Sequence, residues 1–313
     1  MRYLARRLLH GAFLLVGVSV LSFLFSDLAP GDYYSELQSD PRVSAATLAA
    51  LRTQNGLDRP LPVRYATWLK SIGRGDFGYS LAYQGPVGPL LAQRIPGTLL
   101  LTGLATALGW LLSVPLGIWS AARRRSWPEA SLKVILSVLL SIPELLMAIA
   151  LLALAVQTGC LPAGGLHSPG RADALDALRH LVIPVTVLTL GLLPILVRHV
   201  RSAVSEALDA PFALAAAAHG IPWRRLLFRH VLPVAMNPLI SLFGLSLGSL
   251  LSASLLVEVL TGWPGLGPLF LDAIFARDYA VVLGVVMIST AFLIGGNMVA
   301  DLLLYRADPR IRG

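Results

Sequence analysis

Apolar residues gather into six long stretches, at about residues 8–28, 98–121, 132–156, 180–200, 234–259 and 281–304. Each approaches the roughly 20 apolar residues that a helix needs to cross the hydrocarbon core of a bilayer. The pattern therefore predicts an all-α integral membrane protein with six transmembrane helices. The first stretch, Gly11 to Phe25 behind Arg2, Arg6 and Arg7, has the outline of a secretory signal. It is long for a signal core and ends in Ser26-Asp27-Leu28 rather than a small-x-small cleavage site. It reads as an uncleaved first helix.

Two polar segments interrupt this pattern at length. About 67 residues (30–96) separate the first two stretches, with turn formers such as Pro30-Gly31-Asp32, Asp58-Arg59-Pro60 and Gly73-Arg74-Gly75-Asp76. Tyr65, Trp68 and Phe77 are interleaved with them, a mix that disordered linkers lack. The segment predicts a small folded cap, with a helix near 44–54, a second near 61–71 and extended chain near 77–84. The other segment, about 201–233, is alanine-rich from Ala207 to Ala218, and alanine is the best helix former. Gly220 ends that helix, Trp223 to Arg229 forms a short basic one, and Leu232-Pro233 opens the fifth membrane helix. Two short helices joined by a glycine make a knob at the membrane face, suited either to docking into a partner or to lying in the headgroups.

Composition agrees with the membrane reading: 56% of the 313 residues are hydrophobic and 13% charged, with a net charge of +8. Soluble domains carry about 25% charged residues, so an ordinary cytosolic enzyme is excluded. Basic residues favour the cytoplasmic side. With the N-terminus inside, the inner segments hold fifteen bases and four acids, whereas the outer segments hold ten of each. The remaining acids, Glu144, Glu258 and Asp301, lie in or beside the spans. Both termini are thus placed in the cytoplasm, and the basic charge needs no nucleic acid to explain it.

No chemistry of its own is evident. The chain has no Gly-x-x-x-x-Gly-Lys-[Ser/Thr] loop, no His-Glu-x-x-His and no Gly-x-Ser-x-Gly. Its six histidines show no ligand spacing, and Cys160 is its one cysteine. Other residues invite a transport reading. Glu144, directly after Pro143 and midway along the third stretch, either lines a wet path or is a protonated acid bonded to a neighbouring helix. The fifth stretch carries small residues including Gly244, Ser246, Gly248 and Ser249, which allow close helix packing and can also present hydroxyls to a substrate. Pro115 and Pro143 predict kinks. Trp263-Pro264-Gly265-Leu266-Gly267 suits a re-entrant plug or an interfacial anchor. Glu258 and Arg277-Asp278 form either an outer gate network or ordinary surface pairs.

The 201–233 segment resembles the cytoplasmic coupling motif of bacterial ABC importer permeases, Glu-Ala-Ala-x3-Gly-x9-Ile-x-Leu-Pro. It stands here as Leu214-Ala215-Ala216-x3-Gly220-x9-His230-x-Leu232-Pro233, with Leu214 replacing the acid and His230 the isoleucine. The peptide branch writes Thr-Ala-Arg-Ala-Lys-Gly where this chain has Ala215-Ala216-Ala217-Ala218-His219-Gly220, so two positive charges are missing. The likeness runs along the whole chain to the oligopeptide, dipeptide and nickel permeases. It is carried by Arg2-Tyr3-Leu4-x-Arg6-Arg7-Leu8-Leu9, Gly56-Leu57-Asp58-Arg59-Pro60-Leu61-Pro62-Val63 and Gly75-Asp76-Phe77-Gly78-x-Ser80. It continues in Pro86-Val87, Arg94-Ile95-Pro96-x-Thr98-Leu99, Trp263 to Gly267, Arg277-Asp278-Tyr279 and Asp308-Pro309-Arg310-Ile311-Arg312. Val114-Pro115-Leu116-Gly117-Ile118-Trp119 also occurs in nickel permeases.

The resemblance implies a type I ABC importer permease fold in the bacterial inner membrane, forming half of a translocation channel. Its parts would be an N-terminal helix (1–29), a periplasmic cap (30–96), a permease domain (97–304) and a cytoplasmic tail (305–313). It implies a second related permease, two ATPase subunits and a periplasmic or lipid-anchored binding protein as partners. ATP and Mg would sit on the ATPases, with no cofactor on this chain. Leu214, Ala215, Ala216, His219, Gly220, Leu232 and Pro233 would couple to the ATPase. Glu144, Ser246, Ser249, Glu258, Trp263 and Asp278 would border the path or its gate. Di- and oligopeptides are the expected cargo, with nickel or a chelated metal as the alternative and a gradient-driven secondary transporter as the different-class reading.

Overall fold

The structure, a computed structural model, describes residues 2–28, 31, 34, 44–54, 56–171 and 173–307. Pro30, Asp32, Asp40-Pro41 and the terminal Asp308 to Arg312 run lie outside the described residues. The chain begins with α1 (Arg2–Leu28), α2 (Ala45–Gln54) and α3 (Leu61–Ile72), followed by a hairpin of β1 (Tyr79–Ser80) and β2 (Gly85–Pro86). Next come α4 (Val87–Ala122), α5 (Trp127–Ser141), α6 (Glu144–Thr158) and α7 (Ala174–Asp209). Two short helices, α8 (Pro211–Ala218) and α9 (Trp223–Leu226), and a π-helical turn (Leu227–Val231) lead to α10 (Leu232–Thr261), α11 (Leu266–Phe275) and α12 (Tyr279–Ala307). By length and composition, five described helices can cross a membrane; α5 and α6 together make a sixth span, bent by 95°.

The described chain divides into two compact units, Met1–Gly97 with Pro264–Phe292 and Thr98–Trp263 with Leu293–Gly313. In the first, α3 packs on the end of α1. Phe23 sits against Tyr65 with ring centroids 5.5 Å apart, and the Tyr65 and Ser19 hydroxyls are 2.8 Å apart. Arg64 pairs with Asp27 at 2.6 Å. The antiparallel hairpin joins Tyr79 to Pro86 and Ser80 to Gly85. The helices expected near 44–54 and 61–71 and the extended chain near 77–84 all fall close to these elements.

The second unit is organised around α7, which packs against α10, α5 and α6. Its buried residues Leu181, Val187, Leu188, Leu192 and Leu196 join Leu101 and Ala105 of α4, Ala148 of α6 and Val257 of α10 in one apolar cluster. Pro184 and Pro194 lie inside α7; such breaks are tolerated in membrane helices because neighbouring groups re-satisfy the freed carbonyls. At the other end of α7, Val200 and Val204 join Ala121, Ala213, Leu226, Leu227 and Val231 in a second cluster.

Three sequence expectations are corrected. The stretch 132–156 is not one helix: α5 stops at Ser141, Ile142 is extended at ψ 118°, and α6 starts afresh. Pro143 disfavours a helical Ile142, so Glu144 opens α6 rather than lying midway along a helix. The inner loop is shorter than 201–233, because Arg201 to Asp209 belong to α7. The alanine-rich 207–218 run is divided at Ala210, which precedes Pro211 and is likewise extended at ψ 145°.

Candidate functional site

Pro211 stands at the start of α8, where its missing N–H costs no hydrogen bond. The helix stops at a left-handed glycine, Gly220, with φ +75°. The Ile221 N–H reaches back to the Ala216 carbonyl (3.2 Å) and the Gly220 N–H to that of Ala217 (3.0 Å). These two bonds form a Schellman motif, which requires the left-handed residue. The His219 ring nitrogen lies 2.7 Å from the Ala215 carbonyl. The chain then turns through α9 into the π-helical turn, where the Leu232 N–H bonds to the Leu227 carbonyl. Pro233 explains that widening: it has no N–H for Arg229 and its ring crowds that carbonyl.

The knob has two faces. Ala213, Leu226, Leu227 and Val231 are buried in the second cluster, with Ala216, Ile221 and Leu232 packed beside them. The other face leaves apolar side chains uncovered: Leu214 is 59% and Phe228 66% exposed, with Phe212 and Trp223 also open. Ala215, His219 and Gly220 are exposed too, and so are Arg224, Arg225 and Arg229. An anchored, apolar face rimmed by cations is the kind of surface that meets a protein partner or a membrane surface.

Charged residues that the sequence pattern treated only as topology markers brace the adjacent helix ends. Glu129 is buried, and its Oε1 accepts from Arg201 Nη2 at 2.7 Å and Lys133 Nζ at 2.6 Å. The backbone N–H of Arg125 donates to Glu129 Oε2 at 3.2 Å. Arg124 pairs with Asp209 at 2.7 Å and donates to the Ser205 carbonyl at 2.6 Å. The turn between α4 and α5 is thereby tied to the last turns of α7, directly before α8. The sequence signal was Glu129, an acid four residues beyond the Arg123-Arg124-Arg125 run.

The residues expected along a path are distributed differently. Glu144, half-buried at the start of α6, lies flat against Gly191 of α7. A Cβ at Gly191 would come within 2.9 Å of the Glu144 carboxyl carbon, so the glycine is what admits the acid. Among the described residues Glu144 makes no hydrogen bond or ion pair. Ser246 is buried, accepts from Trp110 Nε1 at 3.1 Å and donates to the Phe243 carbonyl at 2.7 Å, which is helix packing. The Ser249 side chain lies outside the described residues. Glu258 is buried near the end of α10, and its carbonyl accepts from the Trp263 N–H at 2.9 Å. The Trp263 ring is buried in the main apolar cluster. Asp278, in the first unit, is bonded to Ser80 and Ala82 and forms no ion pair with Arg277 among the described residues.

Residues 113–313 match the family described as binding-protein-dependent transport system inner membrane component, and residues 1–102 match its N-terminal counterpart. The chain belongs to this family. It is 36% identical over 312 residues to the oligopeptide transport system permease protein AppB of Bacillus subtilis (strain 168), covering 99% of this chain and 98% of that one. It is 32% identical over 313 residues to the glutathione transport system permease protein GsiC of Salmonella paratyphi A (strain ATCC 9150 / SARB42), covering 100% and 99%. Among solved structures, the inward-facing MetNI methionine ABC transporter superposes with a TM-score of 0.56 at 20% identity, over 70% of this chain and 96% of that one. That likeness shows the fold. The chain is thus a multi-pass permease of the ABC importer class, and the resemblance read from its motifs is correct.

Proposed function

We propose that this permease forms half of the translocation channel of an ATP-driven importer for di- and oligopeptides. The carrying observation is the knob of α8, α9 and the π-turn, anchored on one face and apolar on the other. A second, related permease would complete the channel, and two ATPase subunits carrying ATP and Mg would drive it. A periplasmic or lipid-anchored binding protein would deliver the cargo. Leu214, Ala215, His219 and Gly220 present the ATPase contact, Ala216 seats it on the second cluster, and Leu232-Pro233 join it to α10. Both termini lie in the cytoplasm, and residues 30–96 form a periplasmic cap. Such coupling needs two rigid states that nucleotide biases differently, and a π-turn fused to α10 is a stiff link between contact and channel.

The relatives' names cover oligopeptide and glutathione transport, which supports a peptide cargo over nickel or a chelated metal. Uptake of labelled di- and oligopeptides and of nickel, in a strain lacking this gene, tests the reading. Loss of peptide uptake restored by the wild-type gene is expected. A defect confined to nickel would overturn the cargo assignment.

A further inference from the structure

Two cavities of the first unit share Arg277 and Tyr279 in their walls. One, of about 340 Å³, is lined in part by Arg59, Arg64, Trp68 and Asp278. The other, of about 420 Å³, runs between α1 and α12, lined by Ser22, Phe25, Ser26, Val282 and Val286. Their polar groups are not equally engaged. Arg64 is paired with Asp27, and the Asp278 carboxylate is taken by Ser80 and Ala82. Among the described residues, the Arg59 and Arg277 side chains have no hydrogen bond or ion pair. The Trp68 indole N–H is buried and has no acceptor. A buried donor without a partner costs about 1–3 kcal/mol, whereas the two arginine head groups are cations left for a ligand of this unit.

The second cavity asks for something different. Phe25 is exposed, and Val282 and Val286 carry the groove along α12, a helix long and apolar enough to cross a membrane. One ligand class fits both: oxygen-rich and anionic at one end, hydrocarbon at the other. A guanidinium meets a phosphate bidentately, with charge assistance, on either side of a membrane. An acidic peptide would satisfy the arginines but leave the groove along α1 and α12 empty.

We propose that these adjacent cavities bind one anionic phospholipid, with its phosphate at Arg277 on their shared wall, its head group towards Arg59, and an acyl chain between α1 and α12. The site does not depend on the transport reading, because its readout is lipid retention rather than uptake.

The test is native mass spectrometry of the full-length chain, released from micelles that contain phosphatidylglycerol or phosphatidylcholine. The wild type is expected to retain one phosphatidylglycerol, preferred over phosphatidylcholine by about fivefold, the factor for one basic residue near an anionic lipid. Arg277→Gln should abolish the preference and Arg277→Lys should keep it. Val282→Trp, which fills the groove without changing charge, should lower retention of both lipids. Arg198→Gln, on a different helix, should behave as wild type. Equal retention of phosphatidylglycerol by wild type, Arg277→Gln and Val282→Trp would overturn the proposal. Unchanged lipid retention with loss of the second permease from the purified complex of Arg277→Gln would overturn it too, marking a protein interface.

Discussion

The Ser80 hydroxyl donates a 2.6 Å hydrogen bond to Asp278 Oδ2 across 198 residues of sequence, and both residues are buried. The same oxygen accepts the Ala82 N–H at 3.0 Å. The Ser80 oxygen in turn accepts the N–H of Tyr83 at 2.9 Å. Asp278 stands immediately before α12, where a carboxylate also favours the positive end of the helix dipole. One buried acid thus fixes the hairpin between α3 and α4 to the start of the last helix.

Removing either partner should loosen the first unit without touching the cytoplasmic knob. Hydrogen bonds to charged groups contribute about 1.5–3 kcal/mol, so Ser80→Ala should lower stability by about that amount. Asp278→Ala should cost more, because it also strands the Ala82 N–H. Thermal unfolding of the purified chain reads both. Equal melting temperatures for wild type and Asp278→Ala would show that this tie contributes nothing to stability.

The exposed face of α8 makes a different prediction. Leu214→Asp places a charge where an apolar side chain lies open, so stability should change by less than about 0.5 kcal/mol, as for other surface changes. Coupling should fail: recovery of the ATPase with the permease should drop at least about tenfold, a loss of about 1.4 kcal/mol. Gly220→Val forces a branched residue to φ +75°, at a cost of about 1–3 kcal/mol, and should distort the same contact. Co-purification and peptide-stimulated ATP hydrolysis measure both. A Leu214→Asp complex that assembles and hydrolyses ATP normally would place the docking face elsewhere.

Behind that face, Glu129 is the buried centre of the brace. Taking away one partner of a buried pair costs about 3–5 kcal/mol where the remaining charge is left uncompensated. Arg201→Ala is expected to cost less than that, because Lys133 still pairs with Glu129 and Arg201 is partly exposed. The Glu129→Gln, Arg201→Gln double variant should recover part of the loss, since no buried carboxylate then remains. Lys133 is half exposed, and Lys133→Ala should cost only about 0–1 kcal/mol, as exposed pairs do. A double-mutant cycle on unfolding midpoints checks the coupling, and additive single effects would rule out the brace.

The helices were legible because a bilayer demands about twenty apolar residues in a row, and such runs are visible without tertiary information. Pro143 predicted the kink at Ile142-Pro143 but not its full 95°, since apolar residues continue straight through it. Ser80 and Asp278 each lie in a recognisable motif, but nothing in local spacing says that the two motifs touch. Glu129 and Arg201 are 72 residues apart and entered the sequence reading only as charges to be counted. The knob was the best-read part of the candidate site, because Gly220 and Pro233 fix two of its corners through local backbone chemistry, whereas the break before Pro211 went unread. Trp263 and Ser246 read as path or gate residues, whereas their burial is decided by which faces of α10 and its neighbours meet.

Glu144 and Gly191 give the sharpest test of the channel side. Gly191→Ala puts a methyl where the Glu144 side chain now lies, with its Cγ 3.0 Å from the added carbon, so the acid must swing away. Overpacking of this kind costs about 1–3 kcal/mol. If contact with Glu144 is the cause, Glu144→Ala should suppress the stability defect of Gly191→Ala, and the two effects should be far from additive. Transport separates the acid's role from its packing. Glu144→Gln keeps the shape and removes the charge, so a path-lining carboxylate predicts reduced peptide uptake with normal melting and normal ATPase recovery. Unchanged uptake and substrate range in Glu144→Gln would leave the residue a packing partner of Gly191 and nothing more.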